Sequence, residues 1–221
     1  MRIAAAVALL STLAFADTSP RITIPQGVAV SWVFSRGALD ERSGSKLELT
    51  KAKVVKGALV FEQGYAVSKD DKVAVMSGSF AIEIRAKFDE IARNWALLCM
   101  RGSNGRSIGD TWGFYCGAQG NLYFNANRNT VQTPGGAVTA GEWTHIIATV
   151  DKDTLTQKIF INGKEVATGP AAKEGLVDRG GPTYIGGCEQ FGYHVFGSFS
   201  RVRLWKKSLT LADAEKLARE K

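Results

Sequence analysis

The chain has 221 residues, 45% of them hydrophobic, and a formal net charge of +7. A length of this order accommodates one large β-domain or two small ones. The basic residues are scattered, with pairs such as Lys206-Lys207 as the longest runs, so charge patterning argues against a nucleic-acid module and leaves either solubilised outer faces or attraction to acidic surfaces.

Residues 1–16 have the layout of a secretory signal peptide. Arg2 gives a positive start, 3–13 an apolar run too short to span a bilayer, and Ala14-Phe15-Ala16 a small-x-small cleavage site. An uncleaved anchor is the alternative; no later stretch approaches membrane length. Residues 17–221 are then read as a single secreted domain, extracellular or periplasmic.

Strands are predicted at 21–24, 28–34, 47–49, 58–61, 65–67 and 73–75. Residues 80–88 alternate most clearly, with Phe80, Ile82, Ile84, Ala86 and Phe88 on one face and Glu83, Arg85 and Lys87 on the other. Segments 95–100 and 113–116 flank a Gly-containing loop at 101–111. The next strand, 121–127, sets Leu122, Phe124 and Ala126 against Asn121, Tyr123, Asn125 and Asn127. A three-strand meander follows at 143–150, 157–162 and 165–168. Asp151 to Thr154 supply its first turn, and Asn162-Gly163 its second, because a type I′ turn needs positive φ at both central residues. Strands at 182–186 and 198–205 precede a helix, with Thr210 as N-cap, Asp213 near the positive end of the dipole, and Leu211, Ala214 and Leu217 as the apolar stripe. Many short strands and 24 glycines indicate an all-β fold, a two-sheet antiparallel β-sandwich or barrel with a short C-terminal helix.

Export would place the three cysteines in an oxidising compartment. Cys99 and Cys116, on successive predicted strands, are the expected disulfide pair, leaving Cys188 over. No C-x-x-C or His/Cys zinc spacing is present. For sugar binding, rings stack on sugar faces and amides bond the hydroxyls. Asn121, Tyr123, Asn125 and Asn127 offer such a face, with Tyr115 and Arg85 on candidate neighbouring strands. The same face also fits an ordinary solvated sheet surface. His145 reads as a strand residue with a bonded imidazole, and His194 as an exposed loop residue.

Several pieces, in order, resemble the LamG-like jelly-roll domains of the concanavalin A-like lectin/glucanase superfamily. They are G-A-L-V-F at 57–61, G-S-F-A-I-E at 78–83, W-T-H at 143–145, F-I-N-G at 160–163, Y-I-G-G at 184–187, the strand from Phe196 to Trp205, and S-L-T-L-A-D-A-E at 208–215. The resemblance implies two antiparallel sheets face to face with one concave side. It also raises the enzymes of that superfamily. The glucanase pattern E-x-D-x-x-E and the lyase patterns R-[ST]-E-L-R and Q-[IV]-H are absent, so no catalytic residue is assigned. Pentraxins share this architecture and bind calcium through two loops. The similarity implies Glu189 and Gln190 as candidate ligands in one loop and Asp110 in the other. Ser200 and Arg201 replace the acidic pair common in the family's last strand. The resulting reading is a secreted, non-catalytic module that binds carbohydrate or another extracellular or cell-surface ligand. A polysaccharide-active enzyme and a structural or adhesion protein with a protein partner are the alternatives.

Overall fold

Alternation along one strand decides the layering. In β4 (Phe80–Phe88) the side chains of Phe80, Ile82, Ile84, Ala86 and Phe88 all enter the main core, as a period of two requires. The computed structural model describes residues 24–70, 72–102 and 111–220; the expected signal peptide and Asp110 lie outside these. Before β4 come β1 (Val28–Val33), β2 (Glu48–Val55) and β3 (Ala58–Ser68). After it come β5 (Trp95–Arg101), β6 (Trp112–Gly117), β7 (Leu122–Ala126), β8 (Asn129–Gln132), β9 (Trp143–Asp151), β10 (Thr156–Ile161) and β11 (Lys164–Pro170). The chain closes with β12 (Thr183–Ile185), β13 (Phe196–Trp205) and α1 (Leu211–Ala218).

The strands pair antiparallel along one path, β11-β10-β9-β4-β13-β3-β12-β5-β6-β7-β8, with β1 on β13 and β2 on β3. The path folds over on itself. Phe80 of β4 lies 5.9 Å from Trp112 of β6 and 5.8 Å from Phe124 of β7, ring centre to ring centre, so two layers share one apolar interior. β3 carries the chain between them, its first half pairing with β13 and its second with β12. Between the halves sits Gly64, so close to β2 that a Cβ would come within 1.9 Å of the Thr50 carbonyl oxygen. The predicted strands at 58–61 and 65–67 are therefore the two halves of one strand around this glycine.

The outer face of the β10-β9-β4-β13 layer is also covered. Ala81, Ile147, Phe160 and Trp205 pack there against Leu209, Ala214 and Leu217. Burying each leucine contributes roughly 1.5–3 kcal/mol. The helix starts where expected. The Thr210 hydroxyl accepts from the Asp213 N–H, and the Asp213 carboxylate accepts from the Thr210 N–H. It ends at Ala218, one residue past Leu217, the last of the apolar stripe.

Charges are buried under the same cover. Glu83 is fully enclosed, its Oε1 2.8 Å from Arg201 Nη2 and 3.2 Å from His145 Nε2. Arg203 Nη1 lies 2.9 Å from Glu220 Oε2, which tethers the end of the chain to the sheet. Burial pushes the Glu83 carboxyl up, but His145, Arg201 and Arg203 outweigh it and hold it below the usual carboxylate range. His145 is thus bonded and buried scaffold, as the sequence reading has it.

Three expectations are corrected. Residues 73–75 form no strand; Ala74 and Met76 enter the core from a turn while Val75 stays exposed. A strand not predicted, β8, continues the sheet beyond β7. Cys99 and Cys116 form no disulfide, and all three cysteines are buried free thiols. The ladder sets Cys99 opposite Phe114 and Cys116 opposite Ala96. Two residues along β6 at about 3.3 Å of rise each, combined with the ~4.8 Å between paired strands, put the two Cα atoms about 8 Å apart, beyond the ~4.4–6.8 Å that a disulfide spans. Burial pushes both thiols up, Cys116 to about 12.

Two outcomes are expected. Glu83→Gln leaves the buried Arg201 and Arg203 with only the partly exposed Glu220 carboxylate between them and should cost about 3–5 kcal/mol in chemical denaturation. Because the folded state holds Glu83 low, its contribution is complete above the unfolded carboxylate value and is lost as pH falls through the folded one. The wild type should therefore lose stability in acid more steeply than the variant. Denatured, unreduced protein should titrate three thiols; a titre of one would show a disulfide.

Candidate functional site

Among the described residues, no helix lies over the outer face of the second layer. In β6, Trp112, Phe114 and Cys116 turn inward, so Gly113, Tyr115 and Gly117 turn outward. Tyr115 stands opposite Leu97 of β5 and Tyr123 of β7, and Asn125 stands opposite Gly113 and Thr130. The glycines leave room for the rings. A Cβ on Gly113 would lie 2.4 Å from Tyr115 Oη, and one on Gly117 would lie 2.9 Å from Tyr123 Cε2. β5 is irregular between Leu97 and Cys99. Leu98 and Cys99 both enter the core while Leu97 and Met100 stay with the outer cluster, as a bulge permits.

These strands and the 186–195 loop build an open cleft of about 350 Å³ lined by Trp95, Tyr115, Tyr123, Asn125, Thr130 and Tyr193. The loop is held by the Leu97 N–H donating to the Tyr193 carbonyl at 2.9 Å. Trp95 is 39% exposed, and its ring meets Tyr123 edge to face at 4.4 Å and Tyr115 at 6.4 Å. Asn125 Nδ2 donates to Thr130 Oγ1 at 2.8 Å. Among the described residues, Tyr115 Oη and Asn125 Oδ1 are enclosed yet have no hydrogen-bond partner. Burial, then the nearby Cys188 and Tyr193, pushes the Tyr115 phenol up, so it remains a neutral O–H donor. The cleft therefore combines aromatic walls with one unused donor and one unused amide oxygen. Unpaired buried polar atoms of this kind mark places where water or a ligand completes the bonding.

The structure brings together three of the six sugar-face residues expected from the sequence, Tyr115, Tyr123 and Asn125. Asn121 lies beside the cleft, and its Nδ2 donates to Tyr123 Oη at 2.6 Å. Asn127 departs from the strand at φ 48°, and its Nδ2 donates to the Gly175 carbonyl. Arg85 is on the opposite layer, donating to the Glu220 carbonyl at 3.0 Å and lying over Trp143. The alternation rule assigns its face correctly and its layer wrongly. Trp95, Thr130 and Tyr193 were missed. Trp95 was legible as an aromatic two positions before Leu97, but the bulge breaks the parity needed to say which way it points.

Glu189 and Gln190 are adjacent exposed residues, with Lys69 within electrostatic reach of Glu189. Among the described residues no group of three His, Cys, Asp or Glu side chains gathers as a metal cage. Two neighbouring side chains beside an ammonium do not by themselves fit calcium, which takes about six to eight oxygens. His194 is half-buried, not exposed, with its Nδ1 enclosed against Gly187.

A family model for the concanavalin A-like lectin/glucanase superfamily, laminin-G type, matches residues 62–214. The chain belongs to that superfamily. No curated protein sequence matches it. Among solved structures, a *Trypanosoma rangeli* sialidase in complex with a difluoro-KDN ligand superposes with a TM-score of 0.68 at 14% identity. That match covers 92% of this chain and 35% of the sialidase, so the superfamily domain here spans about a third of that protein. The CBM40 of a *Ruminococcus gnavus* sialidase, bound to α2,3-sialyllactose, gives 0.56 at 18% identity over 65% of this chain and 83% of that one. The binding domain of botulinum neurotoxin DC, in complex with SialylT, gives 0.64 at 13% identity over 87% and 51%. At these identities the likeness is one of fold. No helix among the described residues is long and apolar enough to cross a membrane.

Gly113→Ala should drive the added methyl against Tyr115 and destabilise the protein by about 1–3 kcal/mol, measured by urea denaturation; an unchanged midpoint would show that the Tyr115 ring is free to move aside.

Proposed function

We propose that this chain is a non-catalytic carbohydrate-binding module of an exported protein, with the Trp95–Tyr115–Tyr123 cleft as its site. The observation that carries this reading is the cleft itself, whose aromatic lining of Trp95, Tyr115, Tyr123 and Tyr193 comes with an unpaired phenol on Tyr115 and an unpaired amide oxygen on Asn125. Aromatic faces stack on the C–H face of a pyranose while the polar atoms take its hydroxyls. The glycan complexes of structures that share the fold lend support. The layout of residues 1–16 supports export. None of the residues lining the cleft is acidic, so it lacks the two flanking carboxylates that glycosidic hydrolysis uses. Calcium through Asp110, Glu189 and Gln190 is a separate proposal, tested by whether added calcium raises the melting temperature.

On a glycan array the protein should show saturable binding. Trp95→Ala and Tyr123→Ala should each weaken it by about 1–3 kcal/mol, the scale of removing one stacking ring by alanine substitution, with melting temperature checked in parallel. Binding undiminished in both variants would move the site elsewhere.

A further inference from the structure

Trp95 and Tyr123 wall more than one hollow. On their far side from Tyr115 lies a second hollow of about 340 Å³, reached past the same two rings. Its chemistry is different. Asn94, Gln119, Asn121 and Gln132 present amides, Arg93 presents a guanidinium, and no acidic side chain is among its lining residues. Arg93, Asn94, Gln119 and Gln132 are exposed, so their donors and acceptors remain available to a ligand. The bond from Asn121 Nδ2 to Tyr123 Oη fixes the partition between the two hollows.

We infer that the site is bipartite and takes an oligosaccharide across the Trp95–Tyr123 ridge, with a carboxylate-bearing sugar unit in the Arg93 hollow. The inference rests on the carbohydrate reading of the aromatic cleft. Amides bond hydroxyls as both donors and acceptors, and a guanidinium fork matches a carboxylate with two parallel N–H bonds. The aromatic cleft, which has no charged lining residue, suits the neutral face of the adjoining unit. An ionised sugar placed there would lose hydration without a countercharge. A uronic acid and a sialic acid share the carboxylate.

Calorimetry on the full chain separates the outcomes. The probes are a trigalacturonate, α2,3-sialyllactose and a neutral trisaccharide. At least one acidic probe should bind about tenfold tighter than the neutral one, on the scale of a charge-assisted bidentate contact. The advantage should shrink with added salt. Arg93→Gln, an exposed substitution, should erase that advantage, bringing the acidic probe down to the affinity of the neutral trisaccharide for the same variant, whereas Trp95→Ala should weaken all three. Which acidic probe gains identifies the source of the carboxylate. Equal affinity for acidic and neutral probes, or an acidic advantage that survives Arg93→Gln, overturns the second subsite while leaving the aromatic cleft standing. Binding of none of the probes overturns both.

Discussion

Phe114 and Phe124 pack ring to ring at 5.7 Å, with Phe80 of the other layer against Phe124. That contact fixes the parity of β6 and β7. Side chains alternate, so once 114 and 124 are inward, Tyr115 and Tyr123 are outward and opposite each other. A slip of one residue would exchange the buried and exposed sets entirely. The cleft is thus the reverse side of the core, and its rings cannot be repositioned without unpacking the interior. Gly113 and Gly117 complete the arrangement, since a Cβ at either would collide with these side chains or their neighbours.

The two outer faces of the sandwich are treated differently. One is covered by the C-terminal segment, through Leu209, Ala214 and Leu217, and is held by Glu83, His145, Arg201, Arg203 and Glu220. Breaking a buried charge cluster of this kind costs more than making it gains, so it acts as a register lock more than as a source of stability. His145 and Glu83, a pairing that invites a catalytic reading, are committed to this lock. Among the described residues, the other face is flanked by the 186–195 loop along one side, and it exposes Trp95. The aromatic cleft therefore lies on the layer that the helix leaves open.

Most of the architecture was legible in the sequence because it rests on local rules. The alternation of 80–88, the Asn162-Gly163 turn and the Thr210–Asp213 cap depend on nearest neighbours, and each forms as read. The errors have long-range causes. Gly64 joins two apparent strands because β2 approaches it closely. The bulge at Leu98 hides the direction of Trp95. Arg85 was grouped with Tyr115 because strand order in a sheet that folds on itself does not follow chain order. The disulfide failed for a related reason: adjacent strands do not guarantee adjacent residues. Of the six cleft residues, Tyr123 and Asn125 follow from the alternation of one strand and Tyr115 from its neighbour, while Trp95, Thr130 and Tyr193 needed β5, β8 and a loop to converge.

The open face is the proposed ligand-binding surface. The indole N–H signals of Trp95 and Trp143 report on the two outer layers separately, since each indole is about 40% exposed, on opposite faces. A nuclear magnetic resonance titration with an oligosaccharide that the protein binds should shift the Trp95 signal progressively and leave that of Trp143 in place. A shift confined to Trp143 would put the ligand on the helix-covered layer and contradict the account.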